Sequence, residues 1–296
     1  MFEGFEIRRL AAAGADIHLR FGGVGEPVLL LHGYPQTHVC WHLVAPALAR
    51  DFTVVLADLR GYGDSSCPDA GVDHSGYAKR AMAADMVSAM SALGFENFAI
   101  IGHDRGARVA YRMALDYPKV VTRLISLDVV PTLDMWEGTD KARAIGGFHW
   151  PFLAQPAPLP EKMIGADPEF FAAWLMQSWA APGFEFHPEA MAEYLRCFTK
   201  PEVIRATCDD YRAGATIDHE LDQQDIDSNR RITCPVHFLW GENRGLGGPQ
   251  GGKDPLAVWR RWADQVSGAA VNCGHFLPEE APDRVILEAR SFLTIG

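Results

Sequence analysis

Six short apolar runs punctuate the chain: Pro27 to His32, Thr53 to Asp58, Phe98 to His103, Leu124 to Val130, Pro235 to Trp240 and Ala269 to Cys273. Runs of this length that lack polar alternation have the character of strands buried on both faces, as in parallel sheets. Between the second and third run the polarity follows a helical period instead. Met82, Met86, Met90 and Leu93 fall on one face of a predicted helix that Gly94 closes. A methionine stripe at this spacing is read as core rather than as a ligand site. Strands alternating with helices predict βαβ units, hence an α/β fold with a mostly parallel sheet and helices on both faces.

From about residue 131 to residue 230 the strand rhythm disappears. Trp, Phe and Pro recur there among helix-like segments such as Pro168 to Trp179 and Pro188 to Phe198. This pattern divides the chain into a core built from residues 1–130 and 231–296 and a helical cap, 131–230, inserted between two sheet strands. The Gly-rich stretch at 245–252 is expected to be a mobile loop after a strand.

With 296 residues, 48% of them hydrophobic, the chain can fill one large core without metal or disulfide support. Its six cysteines (Cys40, Cys67, Cys197, Cys208, Cys234 and Cys273) show no close pairing at metal-ligand or redox spacing, so reduced structural thiols are expected. No apolar stretch approaches the length of a membrane span, and Met1 to Glu6 carries no leader pattern. A soluble cytoplasmic protein is the expectation. The formal charge of −11 argues against nucleic acid and anionic membranes as partners. It also means that an anionic small substrate would need positive charge supplied locally.

The candidate chemistry lies in Ile100-Ile101-Gly102-His103-Asp104-Arg105-Gly106, a Gly-x-nucleophile-x-Gly element preceded by an apolar run and followed by good helix formers. An Asp in the central position is a poor acyl acceptor but a competent SN2 nucleophile toward saturated carbon. The bond to be broken is then carbon–halogen or epoxide carbon–oxygen. A plain helix N-cap is the alternative role for Asp104. If the helix starts near Arg105, Arg108 shares its face, and two guanidinium groups converge beside Asp104. That arrangement answers a specific difficulty. Two unit negative charges about 4 Å apart repel by about 4 kcal/mol at an effective dielectric of roughly 20, which is about a thousandfold in rate. Bidentate guanidinium contacts would neutralise and orient a substrate carboxylate. Pairing of either arginine with cap acids is the competing arrangement.

His32-Gly33-Tyr34-Pro35, Asp58 to Ser65, Gly102 to Gly106 and Gly274-His275-Phe276 resemble, in order, the motifs of α/β-hydrolase dehalogenases and epoxide hydrolases. Asp104 to Arg108, the pair His149-Trp150 and Asp210 to Ala213 resemble more narrowly the haloacetate (fluoroacetate) dehalogenases. The resemblance implies hydrolytic dehalogenation of a haloacetate through an aspartyl ester, with no cofactor and no metal. It assigns Asp104 as nucleophile, His275 as general base and Asp128 as the acid that orients it. Arg105 and Arg108 hold the substrate carboxylate; His149, Trp150 and Tyr211 receive the halide; the backbone N–H groups of Tyr34 and Arg105 form the oxyanion hole. A homodimer is implied as well. The chain departs from the wider family at Asn243, where an acid is common, so Glu242 stands as the alternative partner of His275. Two other functions stay open: an epoxide hydrolase, which would use cap tyrosines such as Tyr211, and a non-catalytic receptor for a small acid.

Overall fold

The computed structural model describes residues 1–243 and 254–294; the expected loop at 245–252 lies outside them. Eight strands form one sheet: β1 (Glu6–Ala11), β2 (Asp16–Gly23), β3 (Pro27–Leu31), β4 (Thr53–Ala57), β5 (Phe98–His103), β6 (Val121–Leu127), β7 (Val236–Gly241) and β8 (Val266–Val271). Their order is β1-β2-β4-β3-β5-β6-β7-β8. From β4 to β8 all neighbours run parallel, while β1 and β2 join antiparallel at one edge.

All six predicted runs lie on strands, with shifted ends. The last strand begins and ends earlier than its apolar run, at Val271, because Cys273 to His275 leave the sheet as a loop. The two antiparallel strands had no apolar run to announce them. In β2 only Ile17 and Leu19 are fully buried, every second residue, as suits a strand with one covered face. Strand β1 is almost wholly exposed and carries Arg8 and Arg9, which suits an edge.

Alternation along the parallel strands sends side chains to two cores. Leu29, Leu31, Val55 and Ile100 pack under Met82, Met86 and Met90 of the helix Lys79–Ala92 and under Val109 and Met113 of the helix Arg105–Asp116. Val28, Leu30, Val54 and Ile101 face Trp41, Val44 and the C-terminal helix Pro282–Leu293. Between β6 and β7 the chain runs through helices only, from Thr132 to Asp227, the longest being Pro201–Ala215. No helix among the described residues is long and apolar enough to cross a membrane, and all six cysteines are free thiols.

The register decides where chemistry can occur. Leu31 pairs with Gly102, His103 with Leu127, and Leu127 with Leu239, so β3, β5, β6 and β7 end side by side. Residues just past those ends, Tyr34, Asp104 and Asp128, therefore converge in one crevice, as open parallel sheets generally arrange. The methionine stripe makes a test of the core: Met86→Ala should cost about 2–5 kcal/mol in urea unfolding. The fully exposed Val72 mutated to Ser should stay within about 0.5 kcal/mol of the parent.

Candidate active site

Asp104 follows β5 with φ 47° and ψ −116°, a conformation that costs a non-glycine residue of order 1–3 kcal/mol. Its neighbours make room for the turn. A Cβ on Gly106 would lie 2.4 Å from the Leu31 carbonyl oxygen, and one on Gly102 2.5 Å from Ala107 Cα, so both positions require glycine for close approach. Gly33 does the same from β3: a Cβ there would stand 2.5 Å from Asp104 Cβ. The next residue, Tyr34, donates its backbone N–H to Asp104 Oδ1 at 2.9 Å. Arg105 opens the helix, where a first-turn N–H has no intrahelical acceptor. Asp104 does not cap that helix with its side chain.

Oδ2, the other carboxylate oxygen, lies 3.8 Å from His275 Nε2. His275 Nδ1–H donates to Asp128 Oδ2 at 2.6 Å, and Asp128 Oδ1 accepts the Gly241 N–H at 2.9 Å. Asp128, at φ 57°, is the second acid held in a conformation with positive φ. Glu242 is exposed, and Asn243 bonds Asn272. Burial disfavours a charged His275, yet the Asp128 hydrogen bond and the charges of Asp128 and Asp104 outweigh it, so its pKa is raised. Burial also opposes ionisation of Asp104, but His275, His103, Arg105 and the Tyr34 N–H together hold its pKa at about 2. The carboxylate is ionised at neutral pH.

Several residues that sequence reasoning passed over hold His275 in place. Trp179, the last residue of the helix Pro168–Trp179, accepts the His275 N–H at 3.0 Å, and its ring stands 4.5 Å from that of His149. Glu280 accepts three backbone N–H groups, from Gly274 (2.7 Å), Phe276 (2.8 Å) and Ala181 (2.9 Å). His103 donates Nε2–H to the His275 carbonyl at 2.8 Å, a structural role. His32 likewise serves the loop: its Nε2 accepts the Leu59 N–H and its Nδ1–H bonds the Gly33 carbonyl. His18, His38 and Asp58 come together as sequence spacing did not suggest. Both His38 ring nitrogens are used, however, by Arg20 at 3.1 Å and Asp58 at 2.9 Å.

The two arginines differ. Arg105 is fully buried and gives Nε (2.8 Å) and Nη2 (2.7 Å) to the carboxylate of Asp210, with Nη2 also on the Asp210 carbonyl. Nη1 has no partner. The pairing with an inserted-segment acid thus holds for Arg105. Among the described residues Arg108 meets no carboxylate. Its Nη1 bonds the Val130 carbonyl at 2.8 Å, its Nε has no partner, and burial followed by the charge of Arg105 lowers its pKa. Arginine remains protonated even so. The structure thus presents a buried positive charge with no ion-pair partner among the described residues, felt by Asp104 only through space.

Rings enclose the space above. The Tyr211 ring lies 5.3 Å from Tyr34, 5.4 Å from Trp150 and 5.6 Å from His149, and Trp150 receives both guanidinium groups on its face, Arg108 at 4.5 Å and Arg105 at 5.2 Å. His149 Nδ1 is buried without a partner. Burial lowers the His149 pKa to about 3, so its ring is neutral and offers one N–H. Burial and then the charge of Asp104 raise the Tyr211 pKa, keeping its hydroxyl protonated. Trp136, edge-on to Trp150 at 5.5 Å, gives its own Nε1–H to the Gly214 carbonyl.

Residues 26–282 match the family model described as the alpha/beta hydrolase fold. The chain belongs to the α/β-hydrolase family. Among relatives of this hydrolase, a fluoroacetate dehalogenase from a Burkholderia species is 44% identical over 295 residues, 99% of this chain and 95% of the relative. A soluble epoxide hydrolase from a Corynebacterium species is 36% identical, covering 94% of each chain. The solved structure of an alpha/beta hydrolase from Nostoc sp PCC 7120 superposes with TM-score 0.96 at 52% identity and full coverage of both chains. A Pseudomonas aeruginosa protein described as an epoxide hydrolase gives 0.93 at 48%, covering 99% and 96%.

The pH behaviour of this hydrolase tests the His275–Asp128 pair. In the resting protein the His275 ring should titrate above the ordinary imidazole value, because the Asp128 hydrogen bond and the charges of Asp128 and Asp104 favour its protonated form. Asp128→Asn removes two of the influences that raise the His275 pKa. Its ring resonances should therefore titrate at lower pH by NMR, while kcat falls by roughly 10³–10⁴. An unchanged titration would rule out the pairing.

Proposed function

We propose that this hydrolase cleaves haloacetates, fluoroacetate or chloroacetate, to glycolate and halide through a covalent ester on Asp104. The observation that carries the proposal is the buried Arg108 guanidinium, which has no ion pair among the described residues and an unpartnered Nε, near the Asp104 carboxylate. A cation in that state is costly unless the working complex supplies an anion. The substrate carboxylate does so, bonding Arg108 Nε and Arg105 Nη1. Similarity to a fluoroacetate dehalogenase over nearly the whole chain supports the same reading.

In the first half-reaction Asp104 Oδ2, the oxygen not engaged by the Tyr34 N–H, attacks the carbon bearing the halogen. The carbon–halogen bond breaks as the new carbon–oxygen bond forms. The departing halide is met by the His149 N–H, Trp150 Nε1–H and the Tyr211 hydroxyl, donors that replace water in a closed site. In the second, His275 Nε2 takes a proton from water, and the hydroxide adds to the Asp104 carboxyl carbon. Tyr34 and Arg105 N–H groups stabilise the resulting oxyanion. Collapse expels glycolate, which receives the proton from His275; Asp104, now holding one water oxygen as its carboxylic acid, loses its proton to solvent and is again the carboxylate. Alkylation itself readies the base: it removes the Asp104 charge from beside His275 and so lowers the proton affinity of the ring. The helices of residues 131–230 act as the cap that excludes bulk water during both steps.

Epoxide hydrolysis is the second reading, favoured by the Corynebacterium relative and the available Tyr211 hydroxyl. A neutral epoxide, however, gives Arg108 nothing to bind. The free thiols support a reducing, cytoplasmic setting. Exposed Phe170 and Trp174, one turn apart, support a homodimer joined through the cap; Trp174→Glu should then sediment as monomer where the parent sediments as dimer.

Asp104→Ala should release no halide from fluoroacetate or chloroacetate. His275→Asn should accumulate one equivalent of protein heavier by one carboxymethyl group. In heavy-oxygen water a single turnover should label the Asp104 carboxylate rather than glycolate. Turnover of styrene oxide without haloacetate turnover would establish the epoxide reading instead.

A further inference from the structure

Asp210 is buried at the meeting of the inserted helix Pro201–Ala215 with the core, and it accepts from more than Arg105. The Lys79 ammonium bonds its Oδ1, and the Tyr62 hydroxyl bonds its Oδ2 at 2.6 Å. Lys79, at the start of the helix Lys79–Ala92, is only 1% exposed. Its Nζ also lies 3.3 Å from Asp218 Oδ2, and its backbone N–H bonds Asp218 Oδ1 at 2.8 Å. Four buried charges thus form a chain in alternating sign: Arg105, Asp210, Lys79, Asp218. The positive end faces the pocket, and the negative end lies farthest from it.

Consider Arg105 with Asp210 alone. The bidentate pair would be neutral, and a carboxylate approaching Arg105 Nη1 would meet Asp210 close behind. Lys79 shares the Asp210 charge and restores an excess of positive potential at the pocket end. Asp218 opposes this from a greater distance. We propose that Lys79 is a positioning and charge-setting residue for the substrate carboxylate, acting through Asp210 on Arg105, and that the buried chain sets the affinity for small monocarboxylates by its net charge. The inference rests on the reading that Arg105 and Arg108 bind a carboxylate.

Acetate, an unreactive monocarboxylate, is the probe, titrated calorimetrically into the full-length protein. The expected affinities follow charge rather than the number of bonds broken. Lys79→Met should weaken acetate by about tenfold or more and raise the chloroacetate KM in parallel, with kcat within about threefold. Asp218→Asn, which keeps an oxygen for the Lys79 N–H, should bind acetate at least as tightly as the parent. The double variant, Lys79→Met with Asp218→Asn, restores the parent's net charge and should return to within about threefold of it. If Lys79→Met does not fold, Asp218→Asn alone carries the test, and weaker acetate binding by it than by the parent overturns the inference. Equal affinity of parent and Lys79→Met overturns the inference, and so does a uniform loss in every variant, the signature of a merely structural network. A parent that neither binds acetate nor turns over chloroacetate overturns the carboxylate-binding reading itself, a result separate from either.

Discussion

Close backbone contact between β3, β5 and the helix that follows β5 is the constraint on which the site depends. Three glycines, Gly33, Gly102 and Gly106, occupy places where a single added carbon would overlap its neighbour. Packed this tightly, the segments leave Asp104 only a conformation that a free chain avoids. The strain has a chemical use. It presents a carboxylate beyond the end of the sheet with one oxygen fixed by the Tyr34 N–H and the other directed toward His275. The parallel register then brings Asp128 alongside without any further device.

Electrostatics completes what the backbone begins. Most buried charges here have partners: Arg112 with Asp225, Arg60 with Asp85, and Lys79 and Arg105 with Asp210. Arg108 is the exception in the crevice, bonded to a carbonyl and a hydroxyl instead of an acid. A protein with net charge −11 that buries an arginine in this state does so against a strong desolvation penalty. The aromatic face of Trp150 recovers part of that penalty, since ring quadrupoles attract cations without neutralising them.

Much of this arrangement was legible in the residues. Apolar runs marked the parallel strands because both faces of those strands are buried, and the methionine stripe marked a helix lying on them. The glycine-bracketed Asp was visible because steric demand leaves few alternatives to glycine. The edge strands were missed because Glu6 to Ala11 contribute almost nothing to the core and β2 buries only alternate residues. Partners of the site residues were harder to read. Asp210 as the ligand of Arg105 bridges 105 positions of sequence, and Trp179 meets His275 through its carbonyl oxygen, which every residue possesses. Backbone interactions of that kind leave no trace in side-chain identity. Glu280 was equally silent, since a carboxylate on a surface-like stretch ordinarily signals solvation.

The attachment of His275 to the inserted segment carries a mechanical consequence. Its amide bonds the Trp179 carbonyl, and Glu280 clasps the amide of Ala181 together with those on either side of His275. Trp179 is the last residue of the helix Pro168–Trp179 and Ala181 lies two residues past its end, so that helix and His275 are tied together by bonds to main-chain groups. Lifting one tugs the other. A displacement of that helix would therefore pull on the imidazole that faces the Asp104 carboxylate.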